Sequence, residues 1–583
     1  MPSKVESWKD EVYGGEIREH LLRFADEGWA AIPEDERDAW FERFKWWGLY
    51  HQRKGQESYF MMRIGTPNGR LTPEQLRVVG ELANEYATGP VENPEFGDAY
   101  VDFTTRQAIQ LHWIQLQDIP DVFGRLESNG MSTIQACGDS WRNIVGSPVA
   151  GRDADEHLDA WPVIEALHEE FKGNEAFDNL PRKWKVSVTG DTRGAGQGDI
   201  NDLAFEPATK TIDGKKVKGF NTLVGGGLAR KEPRFARDID VFCTPEDVPK
   251  VAAGVSALFR DHGNRENRFK ARIKFLVDEW GTEKVREVLQ EYVEYELPTA
   301  GENLRDRYNY NAGKADEPGD YVGVHEQNDG EYFVGLSVLV GRMSADDVVE
   351  LADVAAAYGS EMVGITQRQN LIIADIAEND LDDFLDEPLL DEYSPDPHPF
   401  MRGSIACTGT EFCSLSIVET KNRMVRYARW LRDNVDVPDG VSEFHIHLSG
   451  CTASCAQPQI ADVSLRGMKT RKDGEPVEAF DIGLGGGLGE EPRFADWVEM
   501  RVAADEVPGY IENLLAVYER ERIGDESFRE FIERHDADAL TGLAEPTETS
   551  YEDPYMENTK MTWYPYADNP AMDAAPAPAS ADD

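Results

Sequence analysis

Four of the chain's six cysteines fall in two short stretches rich in small residues, Cys407 and Cys413 in ACTGTEFCSL and Cys451 and Cys455 in LSGCTASCAQPQIADVSLRG. Thiolate is the ligand that soft iron–sulfide centres select, and four thiolates satisfy one iron–sulfur cluster. Gly409, Gly450, Ser449 and Ser454 keep these loops small, so backbone N–H groups can approach sulfur and tune its electronics. Three other readings compete. A structural zinc site also takes four cysteines, but its pairs are usually closer, most often C-x2-C. Disulfides fit poorly, because sparse cysteine use in a long chain without a signal peptide reads as a reducing compartment. Inert buried thiols describe Cys243, in the apolar IDVFC, better than four cysteines in two polar loops.

The elements that must position these thiols are legible around them. Met424, Ala428, Leu431 and Val435 recur at helical spacing after the first pair, while Phe444, Ile446 and Leu448 alternate as in a strand before the second. Both pairs therefore sit at element ends and can converge. In NLPRKWKVSV the alternation puts Trp184, Val186 and Val188 on one strand face, so Lys183 and Lys185 project together from the other. Two neighbouring ammonium groups repel unless an anion lies between them; the plain alternative is an exposed edge strand with solvated lysines.

Length and composition bound the rest. A chain of 583 residues holds more than one domain and buries ample core without disulfide staples. No apolar run approaches membrane-spanning length, and the charged N-terminus MPSKVESWKDEVYGGEIREH lacks an apolar secretion core, so a cytoplasmic, membrane-free protein is expected. Asp plus Glu number 110 against 60 Lys plus Arg, a net charge of −50 spread along the whole chain. Such even dispersal favours a hydrated surface suited to high salt over a docking face for a basic partner, and nucleic acid would be repelled.

An internal repeat organises the chain. Tyr59-Phe60 recurs as Tyr332-Phe333, TTRQAIQL as TQRQNLII (Arg106 against Arg368), KVSVTGDTRGAGQGDINDLAF as HIHLSGCTASCAQPQIADVSL, and VGGGLARKEPRFA as LGGGLGEEPRFA, all in the same order. The predicted fold class is α+β, a pseudo-twofold pair of halves, each a small ferredoxin-like α+β unit followed by a larger α/β unit. The expected boundaries are an N-terminal helical segment 1–55 with Trp40, Phe41, Phe44, Trp46 and Trp47 as its apolar face, units 56–125 and 126–297, a linker 298–325, units 326–395 and 396–545, and an Ala/Pro/Asp-rich tail 546–583. Within the first small unit SYFMMRIGTPNGRL reads as a strand and turn, TPEQLRVVGELANEYA as a helix capped by Thr72, and AYVDFTTRQAIQLHWI as one further strand. The thiols occur only in the second half; Gly190-Asp191-Thr192 stands at the matching place in the first.

The spacing C-x5-C, long gap, C-x3-C, together with CTGTEFC, ETKNR and GCTASCAQPQIADVSLRG, resembles the siroheme-containing nitrite and sulfite reductases. The resemblance implies a [4Fe–4S] cluster on Cys407, Cys413, Cys451 and Cys455, with Cys455 also the proximal ligand of siroheme iron. It carries Arg106, Arg142, Lys183 and Lys185 over as a cation ring that attracts a small oxyanion and stabilises oxygen leaving as water, with a lysine able to donate a proton. Arg182 and Arg368 are candidates to pair with the siroheme carboxylates, and His112 reads as structural. Ferredoxin is the implied electron donor, since no flavin or nicotinamide site is visible and the two GGGL loops lack the spacing of a phosphate cradle.

The resemblance implies nitrite reduced to ammonium by a monomer, with sulfite to sulfide as the alternative. Lys185 leans toward sulfite, because relatives resembling the plant nitrite reductases have asparagine there. So do Tyr59 and Cys137, which match positions joined covalently in some sulfite-reducing relatives. The CTGTEFC loop leans toward nitrite.

Overall fold

The computed structural model describes residues 4–12, 14–53, 56, 59–229, 232–305, 319–489 and 491–556. Most of the predicted tail and the middle of the predicted linker lie outside the described residues. Among those described, no helix is long and apolar enough to cross a membrane.

Two sheets build the small units, and each borrows a strand from the other half. One sheet runs Leu49–His51, Tyr59–Ile64, Ile109–Gln115, Gly97–Phe103, then Arg342–Ser344 from the second half; the other runs Gly323–Glu326, Tyr332–Leu336, Leu371–Ile376, Val363–Ile365, then Arg70–Leu71 from the first. The helices that follow the exchanged strands start on matching caps. Thr72 forms a capping box with Gln75 ahead of Pro73–Tyr86, and Ser344 accepts from Asp347 N ahead of Ala345–Ala357. Those helices touch at Gly80, where a Cβ would meet Val349 Cγ2 at 2.7 Å, so only glycine permits the approach. One apolar core consequently spans both small units, from Phe60, Val79 and Leu111 to Val334, Val348 and Ile373, and takes in Trp40, Phe44, Trp46 and Trp47 of the N-terminal helices.

The segment AYVDFTTRQAIQLHWI differs from its expected single strand. It is a hairpin, Gly97–Phe103 and Ile109–Gln115, turned where Gln107 adopts φ 50° and Thr104 Oγ1 accepts the amides of Arg106 and Ala108. Thr104 and Gln107 supply turn chemistry that apolar periodicity does not register, and the turn carries Arg106 out of the sheet.

Each large unit is a mixed sheet with its own core. In the first, Val186–Val188 runs parallel to Leu203–Ile212, which pairs in turn with Lys215–Val224 and Arg237–Cys243. Glu302–Asn303, inside the predicted linker, adds a strand to Leu203–Ile212. In the second, Ile446–Ser449 runs parallel to both Ser404–Ala406 and Val463–Lys472. Because it is covered on both faces, His445 and His447 are as buried as Phe444 and Ile446, which an alternating pattern does not foresee. The GGGL loops are structural: Gly226 and Gly486 back onto residues 199–201 and 459–460, where a Cβ would collide with backbone. Leu228 and Leu488 meet Ile200 and Ile460 there, with Phe235 stacked on Phe494 at 3.8 Å, marking the pseudo-twofold axis.

Candidate active site

Each pair of thiols hangs from the end of a parallel strand. Cys407 follows Ser404–Ala406, and Cys451 follows Ile446–Ser449. Gly450 N points at Cys407 Sγ at 3.2 Å and Ala453 N at Cys451 Sγ at 3.5 Å. Gly409, at φ 75°, packs against Thr420, whose hydroxyl donates to Cys407 O and ties the loop to helix Lys421–Asn434. The thiols act on one another: burial pushes Cys407 up to about 12 and Cys413 up to about 11, with Cys455 adding to both. Cys455 is the exposed member.

The donor set fits an iron–sulfur cluster. It is four thiols, a soft set, with the Gly450 and Ala453 amides already directed at sulfur. Among the described residues, no three His, Cys, Asp or Glu side chains are gathered closely enough to hold a single metal ion.

Facing Cys455 is a group of cations with few counter-charges. Arg142 is held by carbonyls alone, Gly138 O at 2.7 Å from Nη2 and Ala136 O at 3.3 Å from Nη1. Arg106 donates to Asn201 Oδ1 at 2.8 Å and Val186 O at 3.0 Å, while its Nε is buried without a partner. Burial, against the pull of Asp202 and helped by the Arg142, Arg272 and Arg63 charges, lowers Arg106 to about 9. Lys183 falls well below the ordinary lysine range through burial and then the Lys185, Arg272 and Arg142 charges. Burial brings Lys185 down to about 7, with Arg106 and Arg272 lowering it and Asp202 and Cys455 opposing. Desolvated cations crowded together invite an anion. A macrocycle fringed with carboxylates, and an oxyanion above it, would supply the missing negative charge, so these residues fit siroheme.

The structure thus brings Arg106, Arg142, Lys183 and Lys185 together beside Cys455. Arg182 stands at the edge, 3.2 Å from Asp139, a carboxylate that Arg268 also holds at 2.7 Å. Arg368 stands apart in the matching place of the other half, paired with Asp320 at 3.3 Å and Glu443 at 3.0 Å. His112 is structural, bonded to Asp102 at 2.9 Å and stacked on Phe412 at 3.8 Å.

Sequence reasoning missed Arg63. Its Nη1 lies 3.2 Å from Cys137 Sγ, and its charge is felt by Tyr50 and Arg106. Inside YFMMRI it reads as an ordinary polar position of a strand; only the glycine after Ile64 hinted that the strand end was special. The phenol whose ionisation Cys137 opposes is that of Tyr50, whereas Tyr59 packs edge-on against Trp113 at 5.1 Å. Of the positions that match the joined pair of some sulfite-reducing relatives, Cys137 has Tyr50 rather than Tyr59 beside it, because Leu49–His51 is the edge strand next to Tyr59–Ile64 and carries its own tyrosine to the site.

Known proteins share this sequence and this fold. The model of the nitrite and sulphite reductase 4Fe-4S domain matches residues 137–297 and 398–548, and that of the nitrite/sulfite reductase ferredoxin-like half domain matches 51–129 and 325–390. The assimilatory ferredoxin-dependent nitrite reductase of Haloferax mediterranei is 53% identical over 572 residues, covering 97% of this chain and 98% of that one. The ferredoxin–nitrite reductase of Synechococcus elongatus is 37% identical over 521 residues, 88% of this chain and 96% of that one. Among solved structures, Mycobacterium tuberculosis NirA superposes with a TM-score of 0.82 at 32% identity, covering 93% of this chain and 98% of that one.

Proposed function

We propose a function from one premise: the chain belongs to the nitrite and sulphite reductase family. It is an oxidoreductase that takes nitrite to ammonium with electrons from ferredoxin. The observation that carries this choice is the 53% identity, across nearly the whole of both chains, to a relative of that activity. Its cofactors are a [4Fe–4S] cluster and a siroheme, which when bound supply electrons one at a time and an iron for the substrate's nitrogen. Cys407, Cys413, Cys451 and Cys455 would hold the cluster, and Cys455 would also be the residue nearest the siroheme.

The chain's own residues bind the anion and manage protons. Nitrite, six electrons and eight protons give ammonium and two waters, so proton supply is as necessary as electron supply. Arg142 and Arg106, fixed by neutral acceptors, present standing positive charge to the anion and to departing oxygen. Lys185, poised at about 7, holds a proton when an anion is near and can release it at Nζ near neutrality. Lys183 crowds it, and each added anion draws both back toward the ammonium form. The net charge of −50 suits a high-salt solvent, where counterions screen carboxylate repulsion.

Sulfite is the second reading, favoured by the extra cation at Lys185. One purified sample tests both: iron and sulfide content, the visible band of a chlorin-type haem and its response to nitrite, then nitrite and sulfite kinetics side by side. The expected result is a siroheme spectrum and a higher kcat/KM for nitrite. A faster sulfite reaction would exchange the two readings, and absence of the chlorin band would sink both.

A further inference from the structure

Arg342 lies opposite Asp102 where the exchanged strand Arg342–Ser344 pairs with Gly97–Phe103, 240 residues away in sequence. It is fully buried and saturated by acids: Nε to Asp102 Oδ1 at 2.6 Å, Nη2 to Asp102 Oδ2 at 3.0 Å, and Nη1 to Glu411 Oε2 at 2.7 Å. Glu411 stands between the first two thiols, and its other oxygen accepts the Tyr100 hydroxyl at 2.7 Å and the Asn93 amide at 2.8 Å. His112, on Asp102, stacks against Phe412, the next residue of the same loop. The Lys421 ammonium lies 3.7 Å from Asp102. The loop carrying Cys407 and Cys413 is thus gripped by a sheet assembled from both small units rather than by its own large unit alone.

The molecule contains its own control. Arg70 occupies the matching position in the other exchanged strand, opposite Gly364. Its donors go to carbonyls, Pro148 O at 2.8 Å and Ala150 O, and its guanidinium covers the Trp161 ring at 4.2 Å. Among the described residues no carboxylate is paired with it at ion-pair distance; Asp159, Glu156 and Glu165 act on it only through their charge. Both arginines anchor a neighbouring segment of a large unit, yet only the one that anchors a thiol loop is flanked by two carboxylates.

We propose that Arg342, bracketed by Asp102 and Glu411, is a positioning residue that fixes the Cys407–Cys413 loop and sets the charge felt by the cluster. The inference rests on the cluster assignment above. Arg342 and the Lys421 ammonium together balance the Asp102 and Glu411 carboxylates, and deleting the Arg342 cation leaves net negative charge in low dielectric close to a centre that must accept an electron. Deleting the Glu411 charge does the opposite. Loss of packing alone would not produce shifts of opposite sign.

The test is a redox titration of the cluster, followed by electron paramagnetic resonance, in holoenzyme carrying Arg342→Met, Arg342→Lys, Glu411→Gln or Arg70→Met. Arg342→Met is expected to lower the ratio of reduced to oxidised cluster at fixed potential at least tenfold, a midpoint change of about 59 mV for one electron. Glu411→Gln should raise the midpoint, Arg342→Lys should restore most of the wild-type value, and Arg70→Met should leave it in place. Should Arg342→Met fail to fold, Glu411→Gln and Arg342→Lys decide alone. A Glu411→Gln midpoint equal to or below the wild type overturns the inference while the cluster assignment stands. Wild-type protein without iron and sulfide overturns the assignment itself and the inference with it.

Discussion

The loops that follow strands Val186–Val188 and Ile446–Ser449 share one backbone path and carry two chemistries. Gln197 and Gln457 turn left-handed at matching points, φ 53° and 56°, and their side chains join across the pseudo-twofold axis at 2.7 Å. In the second half the loop amides are aimed at thiol sulfur. In the first half the Asp191 carboxylate fills the same concavity, accepting Gly194 N at 2.6 Å and Ala195 N at 3.3 Å. The flanking strands diverge too: Lys183 and Lys185 stand where the second half has Glu443 and His445, and Arg106, bonded to neutral groups, corresponds to Arg368, bonded to Asp320 and Glu443. Where the chain neutralises itself there is nothing left for a cofactor or an anion to do. The site is where neutralisation was left unfinished.

Making one loop into the other is the hardest test of this contrast. Cys451→Asp, which places the first half's residue in the second, should cost most of the iron and sulfide and at least roughly 100-fold in viologen-driven nitrite reduction. Full metal content in that variant would show that residue identity at this point does not separate the loops.

The next effect is on substrate choice. Sulfite carries more charge than nitrite near neutral pH and gains more from each cation, so Lys185→Asn should lower kcat/KM for sulfite at least tenfold more than for nitrite, a differential of about 1.4 kcal/mol. Equal losses would remove Lys185 from selection.

Acidity offers a gentler probe. Because the Lys185 ammonium sits near 7, nitrite kcat/KM should fall by about eightfold as pH rises from 6.5 to 8, and Lys185→Arg, which keeps its proton, should flatten the slope. The linked stability runs the other way. A lysine depressed in the folded state destabilises below its folded value, and that penalty is relieved as pH climbs from about 7 toward the ordinary lysine range. A profile unchanged by Lys185→Arg would assign the titration to another group.

The smallest effect on catalysis should come from the filled side. Glu443→Gln should leave nitrite kinetics within about twofold while lowering stability by ~1–3 kcal/mol, since it weakens the buried Arg368 pairing. A large kinetic loss would mean that this side takes part in the reaction after all.

Much of this contrast was legible in the residues. Ordered repeat matches revealed the two halves, and cysteine spacing with a lysine pair revealed the sides that matter. What stayed hidden depends on strand neighbours. Arg342 and Asp102 meet only because the small units exchange strands, and nothing local in GRMS announces a partner 240 residues earlier. Arg63 and Tyr50 reach the site from adjacent strands whose pairing fixes which polar side chain faces the cations. Burial of His445 and His447 was hidden for the same reason, since alternation reports one covered face and that strand has two.

The exchanged strands also impose an order on synthesis. Gly97–Phe103 waits for Arg342–Ser344 to complete its sheet, and the shared core waits for residues as late as Tyr393. A nascent chain that has finished its first large unit therefore still exposes an unpaired strand edge and half an apolar core. The first half cannot close as an independent product of translation, and the interval before residue 344 emerges is when this chain is most open to wrong pairing, above all with a second copy of itself at the same stage.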